Sequence, residues 1–227
     1  MRKLYSLLFY IILPFIFLRI TWRGLKVRGY LHRWNERLGY YRTPPIANSL
    51  WLHAVSVGEA EAMFPLVKKL QERYPQQAIV VTCTTPTGSA RVQAVLGASV
   101  NHVYLPYDTP GAVQRFFRQF KPKLAVIMET ELWPNLFATC KASSIPLCII
   151  NARLSPKSVQ RYQKVSALVR STLADVDLIA AQSSFDKERF LSIGAAEGQV
   201  KFVGNIKFDI PPMDALIEAG LAIKNRL

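Results

Sequence analysis

Glu59 stands where a protein can make use of a carboxylate. Leu50, Trp51, Leu52 and Val55 read as a buried strand, Gly58 breaks the run, and Glu59 opens a helical pattern through Ala62, Phe64, Leu66, Val67 and Leu70. A strand feeding a helix through a glycine turn is half of a βαβ unit. Such turns lie at the carboxyl edge of a parallel sheet, where open α/β folds bind their ligands. The helix N-terminus favours an ionised side chain, and an ionised carboxylate at a crevice can accept a proton from an incoming nucleophile. The position equally suits a glutamate that only complements the helix dipole, and this turn alone leaves both readings open.

Other reactive or hydrogen-bonding groups fall at equivalent places, just after each apolar run. They are Ser56; Thr84, Thr85, Thr87 and Gly88; Tyr107 and Asp108; Glu129 and Glu131; Asn151 and Arg153; Gln182 and Ser183; and Asn205 and Lys207. In a parallel sheet these ends share one edge and can converge on a single crevice. Helix capping accounts for the Ser, Thr and Asp residues, but less readily for Glu59, Glu129, Arg153 and Lys207. Several chemistries are excluded. No G-x-G-x-x-G follows the first strand, and neither a Walker A loop nor a G-x-S-x-G elbow is present. His32, His53 and His102 show no ligand spacing, so no metal cage is evident. Cys83, Cys140 and Cys148 form no paired motif and read as thiols of a reducing compartment, with Cys83 and Cys148 inside apolar strand runs.

The elements that must position these groups alternate regularly. After residues 49–55, strands are predicted over 78–84, 101–108, 123–130, 146–153, 178–182 and 200–206, and helices over 88–96, 110–120, 131–142 and 184–193. Ser155-Pro156 starts a further, long helix. Short continuous apolar runs separated by helices predict a Rossmann-like parallel sheet covered on both faces, over residues 49–210. Residues 4–18 carry no charge, and with residues 19–22 they make a marginal membrane span or an interfacial anchor, interrupted by Pro14. The formal charge of +14 is concentrated there: residues 1–42 hold nine basic residues against Glu36 alone. Basic charge beside an apolar segment points to an anionic membrane surface, not to nucleic acid, and keeps the body cytoplasmic. Residues 23–48 read as a basic juxtamembrane segment and linker, its Tyr and Trp residues suiting either a headgroup platform or plain solvent. Residues 211–227 open with Pro211-Pro212 and read as a linker and the truncated start of a further domain.

Six segments together resemble one family: HAVSVGE at 53–59, TPTGS at 85–89, YLPYD at 104–108, METELWPN at 128–135, NARLS at 151–155 and GNIKFD at 204–209. They are similar, in order and spacing, to 3-deoxy-D-manno-octulosonic acid (Kdo) transferases, which add Kdo to lipid A in lipopolysaccharide assembly. The resemblance implies the acceptor-binding half of an inverting GT-B glycosyltransferase at the inner membrane, with no cofactor and CMP-Kdo as donor. It implies Glu59 as catalytic base and Glu129 and Lys207 as stabilisers of the transition state. Ser56, Gly58, Thr87, Gly88 and Arg153 become candidates for acceptor binding, with Lys157, Arg161 and Lys164 as further partners for its phosphates. The sequence ends where such a family's donor domain would begin, so most contacts to CMP-Kdo are expected to be missing and the isolated chain to be inactive. A non-catalytic, membrane-associated acceptor-binding fragment is the alternative.

Overall fold

The computed structural model describes residues 1–206. Seven strands form one sheet: β1 (Ser49–His53), β2 (Ile79–Cys83), β3 (Asn101–Tyr104), β4 (Pro122–Met128), β5 (Leu147–Ala152), β6 (Leu178–Ala181) and β7 (Val200–Phe202). Every neighbouring pair is parallel, in the order β3-β2-β1-β4-β5-β6-β7. The chain winds outward one way from β1 to β3, then crosses back to β4 and winds the other way. Its switch point therefore lies between β1 and β4.

Parallel strands need crossovers, and helices supply them: α3 (Val57–Arg73), α4 (Pro86–Leu96), α5 (Pro110–Phe120), α6 (Pro134–Ala142), α7 (Pro156–Gln163), α8 (Ser166–Leu173) and α9 (Ser184–Ser192). Local chemistry sets their starts. Proline, whose missing N–H costs nothing there, occupies the first turn of α4, α5, α6 and α7. The Ser56, Thr85, Ser155 and Ser183 side chains cap α3, α4, α7 and α9. Alternate strand residues then feed two cores. Leu50, Leu52, Ile79 and Val81 pack with Met63, Phe64 and Val67 of α3 on one face. Trp51, Val80, Ala125 and Ile127 pack with Phe116, Phe120 and Phe137 on the other.

Three expectations need correction. Gly58 does not make the turn: Ser56 caps α3, and Gly58 lies inside the first helical turn without a positive φ. The long helix after Ser155 is two eight-residue helices broken at Val165, so that α8 can bury Val169, Thr172 and Leu173 while α7 buries no residue fully. Pro14 does not interrupt the N-terminal helix, for α1 runs unbroken over Arg2–Lys26.

Residues 23–48 are also more ordered than a lipid platform or a solvated face would be. The short helix α2 (Trp34–Arg37) docks against β3: Arg33 pairs with Glu36 at 2.8 Å, and Arg37 is buried, stacks on the Tyr104 ring and donates to the Thr84 carbonyl. The basic groups of this segment left outside are Arg23, Lys26, Arg28 and Arg42.

A carboxylate cluster at the switch point

The ends of β1 and β4 each deliver acids to the switch point. After His53 the chain turns at Val55 and enters α3, which places Glu59 in the first helical turn. Its carboxylate folds back on that turn. The Val55 N–H donates to Oε2 and the Ser56 hydroxyl to Oε1, both at 2.8 Å, while the Glu59 N–H donates to Ser56 Oγ at 3.4 Å. This is a variant of the reciprocal capping box, so the dipole-complementing role is real. It does not exhaust the residue, since each oxygen keeps a second lone pair. Glu59 is 8% exposed. Burial raises its pKa against the pull of the Val55 and Ser56 hydrogen bonds, and the charge of Glu129 adds to the rise.

Glu129 follows β4 with φ at +56°, a left-handed backbone that costs a non-glycine residue energy and recurs at functional sites. Its N–H is held at 3.0 Å by the Ile150 carbonyl of β5. Two residues on, Glu131 is pushed up to about 7, by burial first, then by the charge of Glu59 and, after partial relief from Trp133, by that of Glu129. The three glutamates thus feel one another. Among the described residues, no basic side chain contributes to the shift of Glu59 or Glu131. Asn151, ending β5, repeats the left-handed backbone at +51° and is buried with its Nδ2 unpartnered.

The remaining sequence candidates fall into three groups. Ser56 touches Glu59 directly, and Gly58 is exposed with open space where a Cβ would point. Gly88 is buried behind the same turn, where a Cβ would meet Thr85 Oγ1 at 2.9 Å and the Val55 carbonyl at 3.3 Å, so it has a packing reason to be glycine. Thr87 is exposed at the start of α4, and Arg153 is exposed with its carbonyl accepting from the Thr130 hydroxyl. Lys207 lies outside the described residues. Glu131 was legible only as one of several acids after a strand; the alternation of acids around Thr130 was the available signal. Tyr162 of α7 was missed, and it feels the charge of Glu131. His53 and His102 belong to the fold: burial pushes each down to about 4, and each ring contacts backbone and a hydroxyl, Thr82 for His53 and Ser89 for His102.

Away from these acids, α1 lies along the domain. Ser6 donates to Asn135 Oδ1 at 3.0 Å, Tyr5 faces the buried Asp108 carboxylate, and the Phe9 and Phe17 rings pack on Tyr107. The outward residues Leu4, Leu7, Leu8, Ile11, Ile12, Phe15, Leu18, Trp22 and Leu25 are exposed. The helix is therefore apolar on both sides, and it is long and apolar enough to cross a membrane.

Residues 32–210 match the family described as 3-Deoxy-D-manno-octulosonic-acid transferase (kdotransferase). A relative of Haemophilus influenzae named 3-deoxy-D-manno-octulosonic acid transferase is 41% identical over 95% of this chain and 51% of its own length. One from Bordetella pertussis with the same name is 33% identical over 97% of this chain and 53% of its own length. A probable mitochondrial one from Arabidopsis thaliana is 35% identical over 91% and 47%. The chain thus spans about half the length of the curated relatives it matches. Among solved structures, UDP-GlcNAc 2-epimerase from Neisseria meningitidis aligns with a TM-score of 0.50 at 17% identity, over 76% of this chain and 53% of that one. A Listeria monocytogenes structure titled a UDP-N-acetylglucosamine 2-epimerase gives 0.51 at 14%, over 70% and 45%. At such identities these two attest the fold alone.

Proposed function

Because the chain belongs to the 3-deoxy-D-manno-octulosonic acid transferase family, we propose that the crevice around Glu59 is the acceptor side of a glycosyl-transfer site. Kdo moves from CMP-Kdo to a sugar hydroxyl of a lipid A precursor, with inversion. The acceptor hydroxyl gives its proton to Glu59 while its oxygen forms a bond to the anomeric carbon. The bond from that carbon to the CMP phosphate breaks, and CMP leaves with the electron pair.

Each role follows from a physical need. A sugar hydroxyl holds its proton far above neutral pH, so a positioned base is required, and burial makes Glu59 a stronger one than a solvated carboxylate. Positive charge develops at the anomeric carbon in the transition state, and Glu129 offsets it; Lys207 offsets the negative charge gathering on CMP. Ser56 and the exposed N-terminus of α3 at Gly58, with Thr87 and Arg153, hold the acceptor. The supporting observation is the cluster of carboxylates at the switch point, where Glu131 feels the charges of Glu59 and Glu129; positive charge developing at the anomeric carbon in the transition state relieves their repulsion. Gly88 supports this site from behind.

The outward face of α1 and the exposed basic residues near its ends associate the domain with the cytoplasmic face of the inner membrane, where a lipid acceptor resides. CMP-Kdo is held mainly by the family's second half. The test joins this chain to the C-terminal half of the Haemophilus influenzae relative and supplies CMP-Kdo and a lipid A precursor. Transfer of Kdo is expected from the joined protein and none from the 227-residue chain alone. A joined protein that folds, binds both substrates and transfers nothing would leave acceptor binding as the function.

A further inference from the structure

One stretch of the domain carries a single charge sign and, among the described residues, makes no ion pair. From residue 153 to 174 five residues are basic (Arg153, Lys157, Arg161, Lys164 and Arg170) and none is acidic. Lys157, Arg161 and Lys164 are exposed and fall on one side of α7, a helix that buries no residue fully. The chain breaks at Val165, and there an apolar groove of about 470 Å³ opens between the first turns of α1 and α8. Met1, Leu4 and Leu8 form one wall, Val165, Ala167 and Leu168 the other, and Lys164 stands at the rim. Leu4, Leu8 and Val165 are about half exposed, so the groove leaves hydrocarbon-like surface uncovered by the described residues. A surface that is apolar inside and cationic at its edge suits an amphiphile whose anionic group sits beside its chain.

Two neighbours lead from this groove toward the carboxylates. Tyr162, two residues before Lys164, feels the charge of Glu131. Pro134, three residues after Glu131, lines a second cavity with Met1, Arg2 and Lys3 at the end of α1.

We propose that the groove between α1 and the α7–α8 corner takes an acyl chain of the phosphorylated lipid acceptor, with Lys164 and Arg161 matching its phosphate. This rests on the acceptor reading above and adds an acyl subsite to it. The groove then fixes how far the sugar reaches toward Glu59, and it separates an acylated acceptor from a bare phosphorylated sugar.

Binding to the 227-residue chain tests it with two soluble probes: a bisphosphorylated glucosamine disaccharide carrying six-carbon acyl chains, and the same disaccharide deacylated. The acylated probe should bind at least tenfold more tightly, about 1.4 kcal/mol. Ala167→Trp, which fills the groove from an exposed position, and Val165→Asp, which charges it, should each abolish that increment and leave the deacylated probe unchanged. Lys164→Glu should weaken both probes several-fold. Equal binding of the two probes, or an increment that survives both groove variants, would overturn the acyl subsite while leaving the acceptor reading intact. Displacement of the acylated probe by dihexanoyl phosphatidylglycerol at equal concentration would overturn it too, by assigning the groove to bulk lipid. Failure of both probes to bind would overturn the acceptor reading itself.

Discussion

Burial and the charges of Glu59 and Glu129 keep Glu131 from ionising at the usual carboxylate pH. The sign of its effect on stability is fixed. Its folded pKa of about 7 stands above the ordinary glutamate value of 4.5, so the folded state binds the extra proton between those limits and stability falls as pH rises through them. Glu131→Gln removes the charge. It should leave the melting temperature unchanged below about pH 4.5 and stabilise the protein above pH 7, by on the order of 2 kcal/mol; thermal unfolding at both ends checks this. The glycines give a second comparison at this scale. Gly58→Ala meets nothing and gains helix propensity, so it should be neutral or stabilising by about 0.5–1 kcal/mol. Gly88→Ala drives a Cβ onto Thr85 and should cost about 1–3 kcal/mol. In sequence the two glycines look alike, because what separates them is the local cap Thr85 and the turn at Val55 and Ser56 folded against it. Glu59 was legible as the acid opening a helix after the first apolar run, although Ser56 and not Gly58 marks where that helix starts. The partner acids were legible only as positions after strands.

Between residue and fold, the clearest device is Asp108. It follows β3, yet its two carboxylate oxygens accept from the Asn135 and Leu136 N–H groups at 2.9 and 2.8 Å, capping α6 from another part of the chain. Burial raises it to about 6 even so. Asp108→Ala leaves two buried donors unpaired and should cost on the order of 3 kcal/mol, measurable by urea unfolding. Such a cap is invisible to a reading that asks only what precedes each helix. Strands and helix starts were legible because β-branched runs, proline at the first turn and Ser or Thr caps act locally. The break at Val165 and the docking of α1 were not, since each depends on which face another element leaves open. The hydropathy of α1 signals a membrane helix, but Ser6, Phe9 and Phe17 are spent on contacts to Asn135 and Tyr107.

At the scale of the molecule, α1 pinned along the domain favours an anchor lying in the bilayer surface with its outer face in lipid. The chain should float with phosphatidylglycerol vesicles and bind more weakly as salt rises, without full release, because charge supplies only part of the attraction. Replacing Ile11 and Phe15, both exposed, by Asp should abolish flotation and leave thermal unfolding unchanged. Loss of folding instead would mean that this face packs against protein. In the proposed reading, the crevice edge, the basic run of α7 and the groove beside α1 meet one lipid-linked sugar. The role of Glu59 is most directly tested by the turnover of Glu59→Gln in the joined protein, measured beside its affinity for the acceptor. The expected result is a fall in kcat of about 10²–10⁴ with acceptor binding within twofold of the parent. A kcat within a few-fold of the parent would show that another group takes the proton.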